Sequence, residues 1–150
     1  MTLSQKCQYG LRAVFELSKR LGDGPIRIAE IAKNQAIPIR FLEVILNQLK
    51  QGGFVESRRG SAGGYMLSRS PATFSVGEII RFFEGPLSPV QCLTDTSDET
   101  CPVNGGCAFL PLWEKVKNTV EGIYDEAVFE DLVQKERIAE RASAEPDYSI

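Results

Sequence analysis

Two short amphipathic stretches only three residues apart constrain this chain more than any other feature. The first, at 28–34, sets Ile28, Ile31 and Ala32 on one face. After Gln35, Ala36 and Ile37, Pro38 opens the second, where its missing N–H costs nothing. That stretch runs to about residue 51, with Phe41, Leu42, Ile45 and Leu49 on its apolar side, and Gly52 and Gly53 end it. Two helices joined by so short a turn form a helix-turn-helix. FVESR at 54–58 and GYMLS at 64–68 then alternate as strands, and the RGSAG run between them is a glycine-rich turn able to take positive φ. A hairpin directly after a helix-turn-helix is a wing, so the pattern predicts a mainly α winged helix with a small β-hairpin. The helix at 38–51 becomes the groove reader. Arg58 and Arg59 near the wing tip suit phosphates or a narrow minor groove, although arginines at such a tip can also simply coat a surface.

Charge supports a nucleic-acid partner. The net charge of −3 divides unevenly: residues 1–70 hold eleven Lys/Arg against five Asp/Glu, and residues 71–150 hold six against fifteen. A basic first half on an acidic second half is expected of a DNA-binding head on a non-binding body, and two unequally charged solvated faces are the plainer reading. Phosphate neutralisation would fall to Arg40, Lys50, Arg58 and Arg69.

Around this head the periodicity predicts further helices. Cys7, Leu11, Val14, Leu17 and Leu21 stripe one helix over 4–21, capped by Ser4 and stopped by GDGP at 22–25. Ser75 and Glu78 form a capping box for a helix reaching about Phe83. The longest helix, about 110–128, repeats Trp113, Val116, Val120, Ile123 and Ala127 at three- and four-residue steps. Such a seam needs a partner helix, either within the chain or, the preferred reading, from a second copy. A last short helix near 129–138 would fold back over that pair, and 141–150 reads as a flexible tail. No apolar run reaches the ~18–20 residues of a membrane span, and the start lacks a signal pattern, so the expected location is the cytoplasm.

The segment from Gln91 to Cys107 carries three of the four cysteines, Cys92, Cys101 and Cys107, spaced C-x8-C-x5-C among turn-forming residues. In a reducing compartment such a cluster points to metal or redox chemistry rather than disulfides. Thiolates are soft donors suited to iron–sulfur or zinc, and the C-x2-4-C pairs usual for zinc are missing. The chain has no histidine. That excludes Ser-His-Asp and Cys-His catalysis and His-containing zinc sites, and no other enzyme active site is visible. A small electron-transfer protein would need a fourth local cysteine and would leave the basic wing unexplained.

These residues together resemble a known family. The run IPIRFLEVILNQLKQGGFVESRRGSAGGYML at 37–67, the start LSQKCQYGLRA, the FSVGEII run, the cysteine triplet and the helix opening near Leu112 and Trp113 fall in the order of the bacterial winged-helix regulators that include IscR, NsrR and RirA. This is the Rrf-two family, and the likeness covers about residues 1–135. The resemblance implies a homodimer on a two-fold-related double-stranded operator, with a [2Fe–2S] or [4Fe–4S] cluster on Cys92, Cys101 and Cys107. It implies that Glu43 reads bases and Arg59 enters the minor groove. Arg40, Lys50, Arg58 and Ser61 complete the expected DNA-binding set. A carboxylate such as Glu43 can accept from the cytosine amino group and repels phosphate, which penalises wrong sequences.

The chain departs from the family at the fourth ligand. Where some members carry a histidine, Leu110 stands here, and where others carry an acid on the first helix, Gln8 stands here. Cys7 of the partner chain is the leading substitute, Gln8 a lesser one, with Asp95 and Asp98 weaker still; a buried packing cysteine is the equal alternative for Cys7. The expected layout is a winged-helix head at 1–85, a cysteine loop at 86–109, dimerisation helices at 110–140 and the tail. If the cysteines held structural zinc or stayed bare redox thiols, the head would be unchanged.

Overall fold

The computed structural model describes residues 2–94, 101–103 and 105–144. Six helices and one hairpin follow in order: α1 (Gln5–Lys19), α2 (Ile28–Gln35), α3 (Ile39–Gln51), β1 (Val55–Arg58), β2 (Gly64–Leu67), α4 (Val76–Glu84), α5 (Leu110–Glu126) and α6 (Phe129–Ala144). The mainly α winged-helix expectation holds. Pro38 is the N-cap of α3 rather than its first residue.

Local chemistry sets the helix ends. Ser4 Oγ accepts from the Cys7 N–H at 3.1 Å, and Ser75 and Glu78 close the expected reciprocal capping box. Between α2 and α3 the chain turns through Ala36 at φ 49°, and the Ile37 N–H reaches back to the Ala32 carbonyl at 2.9 Å. A left-handed alanine costs about 1 kcal/mol, and burying Ile37 in the core offsets it.

The core lies where α1, α2 and α3 meet the base of the hairpin. Val14, Leu17, Ile31, Leu42, Ile45, Leu46, Leu49, Val55, Phe74 and Ile79 are all buried there. Burial of this kind contributes roughly 1.5–3 kcal/mol per large side chain. Glu16 is buried too, and its carboxylate accepts from Asn34 Nδ2 at 2.8 Å and Gln35 Nε2 at 2.7 Å, which fastens α2 to α1. The hairpin is antiparallel, with Val55 opposite Leu67 and Arg58 opposite Gly64. Ile26 joins it as a single bridge to Tyr65, and a Cβ on Gly64 would come within 2.3 Å of the Ile26 carbonyl oxygen, so that approach requires glycine.

Two expectations change at the C-terminal end. The last helix continues to Ala144, so 141–144 are not tail; the remainder of the expected tail lies outside the described residues. The same helix packs on its own chain's α1: Phe129 and Val133 are buried, and Lys19 Nζ meets Glu136 Oε2 at 2.7 Å. Helix α5, by contrast, has no buried residue; Trp113, Val116 and Val120 are half-covered and Ile123 is exposed.

Candidate nucleic-acid interface and cysteine segment

The four core-facing residues of α3 leave the opposite side of the helix to solvent. Arg40, Glu43, Val44, Asn47 and Lys50 are all exposed there. Phe41, expected in the core, is 57 % exposed, and Leu46 takes the buried place instead. Lys50 Nζ donates to Ser57 Oγ at 2.6 Å and ties α3 to strand β1 of the wing. At the wing tip Arg58, Arg59, Gly60 and Ser61 are exposed, and Gly60 turns at φ 105°. Arg27, which the sequence did not mark, donates from its guanidinium to the Ser61 carbonyl at 2.8 Å. That bond anchors the tip to the start of α2. Among the described residues no ion pair takes up Arg40, Arg58 or Arg59, so these charges are free for phosphate. Arg69 is different. It pairs with Glu78 at 2.8 Å and lies 4.0 Å from the centre of the Phe74 ring, a structural clip at the foot of α4.

The cysteine segment joins α4 to α5. Cys92 is exposed in a single 3₁₀ turn at Gln91–Leu93, and Cys101 and Cys107 are half-buried; all three are free thiols. Asp95 and Asp98 lie outside the described residues. Among the described residues no trio of His, Cys, Asp or Glu side chains stands close enough to hold a metal ion. The donors therefore suit a soft metal or cluster chemically, and this conformation does not gather them.

Cys7 has a packing cysteine's surroundings. It is fully buried against Ile80 and Leu87, with Leu3, Val76 and Phe83 around it. Burial, together with the neighbouring Glu84 charge, pushes its thiol up to about 12. Glu84 itself is held below the usual carboxylate range, first by the Ser4 hydroxyl that donates to it and also by the Ser4 N–H at 2.9 Å. Within the single chain this enclosure is that of a packing cysteine, the equal alternative that the sequence offers for Cys7. Gln8 beside it is exposed, with its amide donating to the Leu3 carbonyl at 2.9 Å.

The far end of the helix that follows the segment is tied to the head. The Val76 N–H donates to the Ala127 carbonyl at 2.8 Å, and the Phe129 N–H to the Phe74 carbonyl at 3.1 Å. Arg81 of α4 pairs with Asp125 of α5. These bonds fasten the C-terminal end of α5 to α4, which packs on α1.

Comparison with known proteins agrees with this architecture. The model of the Rrf2 family, described as iron-dependent transcriptional regulators, matches residues 3–135. The HTH-type transcriptional regulator CymR of Bacillus subtilis is 36% identical over 132 residues, 88% of this chain and 89% of that protein. IscR of Yersinia pseudotuberculosis is 27% identical over 142 residues, 95% of this chain and 85% of that protein. Among solved structures, CymR, the global cysteine regulator of B. subtilis, superposes with a TM-score of 0.75 at 33% identity, covering 90% of this chain and 98% of that one. IscR of T. potens superposes at 0.73 with 31% identity, covering 99% and 95%. Among the described residues no helix is long and apolar enough to cross a membrane. Its winged head, its charge and these relatives together establish that the chain belongs to the Rrf2 family of DNA-binding transcriptional regulators and is not an enzyme.

Proposed function

We propose that the protein is a cytoplasmic homodimeric regulator whose cysteine segment sets its affinity for an operator. The observation that carries this reading is one exposed edge, α3 with the wing, that presents Glu43 and three arginines, Arg40, Arg58 and Arg59, in no ion pair among the described residues, on a chain leading through three free thiols into α5. Two copies would pair along the seam of α5, whose Ile123 is 63% exposed in the single chain. Their α3 helices would then enter successive major grooves about one helical turn apart. Glu43 would accept from cytosine, Arg59 would enter the minor groove, and Arg40, Lys50, Arg58 and Ser61 would hold the backbone.

Cys92, Cys101 and Cys107 would hold an Fe–S cluster, which when bound confers sensitivity to iron, oxygen or redox state. The residues' own part is mechanical. Drawing the three thiols together shortens the path between α4 and α5 and changes the spacing of the paired heads. A second reading, reversible chemistry on bare thiols, is favoured by the ungathered cysteines and by the likeness to CymR, the global cysteine regulator of B. subtilis.

Anaerobic purification with iron and sulfide counting separates the two. The cluster reading expects both elements in stoichiometric amount and their loss in Cys92→Ser, Cys101→Ser and Cys107→Ser; metal-free protein whose DNA affinity follows thiol oxidation would establish the second. Operators are found by selecting tight sites from a random duplex pool.

A further inference from the structure

Helix α3 carries more apolar surface than the core uses. Leu42, Ile45, Leu46 and Leu49 are buried, yet Phe41 is 57% and Val44 56% exposed. Val44 follows Glu43 directly and stands four residues after Arg40 and three before Asn47. At helical spacing that places it at the edge of the polar reading face, between Arg40 and Phe41. Phe41 lies on the α1 side, its ring 6.3 Å from that of Tyr9. Together with Gln5, Lys6 and Ile45, these side chains line a mainly apolar hollow of about 390 Å³.

A valine in a major groove has no donor or acceptor with which to read a base. The apolar group that the groove offers is the C5-methyl of thymine. The surrounding charge argues for DNA over an apolar protein partner: Lys6 and Arg40 flank the patch, and a protein surface would strand those cations, whereas a duplex supplies phosphates for them.

We propose that Val44, with Phe41 at the rim of the hollow, determines specificity by packing on thymine methyl groups next to the base pair that Glu43 addresses. The assignment rests on the reading of α3 as the groove-reading helix. The Cα atoms of neighbouring Glu43 and Val44 are about 3.8 Å apart, close to the roughly 3.4 Å step between base pairs, so the two side chains address the same or adjoining pairs.

The test uses the full-length protein and a site selected from random duplex DNA, with each thymine replaced in turn by uracil, which lacks only the methyl. One or two replacements per half-site should weaken binding about fourfold each, the value of one buried carbon. In Val44→Ala, checked for an unchanged urea midpoint, that sensitivity at the position next to the Glu43 contact should vanish. Binding indifferent to every uracil, sensitivity that survives in Val44→Ala, or selected sites without thymine beside the Glu43 contact would each overturn the assignment. The hollow would then be left to a protein or a second copy of the chain. A protein that prefers no sequence over random DNA would instead defeat the reading of α3 itself, and the assignment with it.

Discussion

Gly10→Ala sets two opposite effects against each other at the contact of α1 with α4. In an exposed helix the change would stabilise by about 1 kcal/mol, because alanine loses less backbone entropy. Gly10 is buried, however, and a Cβ there would lie 2.2 Å from Phe83 Cε2, 2.7 Å from Cζ and 3.0 Å from Cδ2. Ordinary contact begins at 3.4 Å, so the ring must retreat by more than 1 Å. Its room is limited by the edge contact with Phe82, 5.0 Å between centres, and by Lys6, 5.7 Å from the ring centre. Overpacking of this kind costs about 1–3 kcal/mol, and a clash this close belongs at the upper end. The net expectation is a loss of ~1–2 kcal/mol, read as a fall in the urea midpoint of roughly 0.5–1 M. Phe83→Ala made in the Gly10→Ala background should cost less than in the parent, with a coupling above ~1 kcal/mol. A Gly10→Ala protein more stable than the parent would show that propensity outweighs the contact and would refute the packing argument.

Other expectations follow from the same geometry. Replacing both Arg58 and Arg59 by alanine should lower the slope of log affinity against log salt by about 2 per head without moving the urea midpoint; an unchanged slope would remove the wing from the DNA. Glu43→Ala should relax base preference at one position per half-site by roughly 5- to 150-fold, the equivalent of ~1–3 kcal/mol, while affinity for random DNA rises or holds. In native protein at pH 8, iodoacetamide should label Cys92, Cys101 and Cys107 and spare Cys7, and mass spectrometry that finds Cys7 labelled at a similar rate would contradict its burial. The Cys7 thiol is raised from an ordinary value of 9.0 to about 12, so the unfolded chain ionises first. Stability from this group is intact below pH 9 and declines as pH climbs toward 12, a limb that Cys7→Ala should flatten.

Features governed by neighbours in the chain were legible in the sequence. The 3.6-residue stripes of the head helices, the Ser75 capping box and the glycine turn of the wing each depend on a few adjacent residues, and all appear in place. Phe41 sits at the edge of the α3 stripe, where period alone does not separate core from rim; Leu46, five residues on, fills the core. Leu21 fell on the extrapolated α1 stripe but lies beyond the helix, which ends at Lys19, and is 58% exposed. Long-range polar ties left no local signal: neither the Arg27 bond to the wing tip nor the buried Glu16 bridge to Asn34 and Gln35 has a sequence period. The weak stripe of α6 gave its position but not the buried place of Phe129 beside Phe74 and α1, which depends on where the chain returns. For Cys7, spacing does not choose between ligand and core, because its enclosure by Ile80 and Leu87 depends on residues more than seventy positions away.

The central claim is that the state of Cys92, Cys101 and Cys107 governs the α3–wing face. It is tested most directly by measuring affinity for one selected operator at a fixed salt concentration. Protein purified anaerobically, with iron and sulfide counted, is compared with the same protein after chelation. The account predicts at least a tenfold difference that disappears in Cys92→Ser; equal affinities in the two states, with metal shown to be present in one and absent in the other, would contradict it.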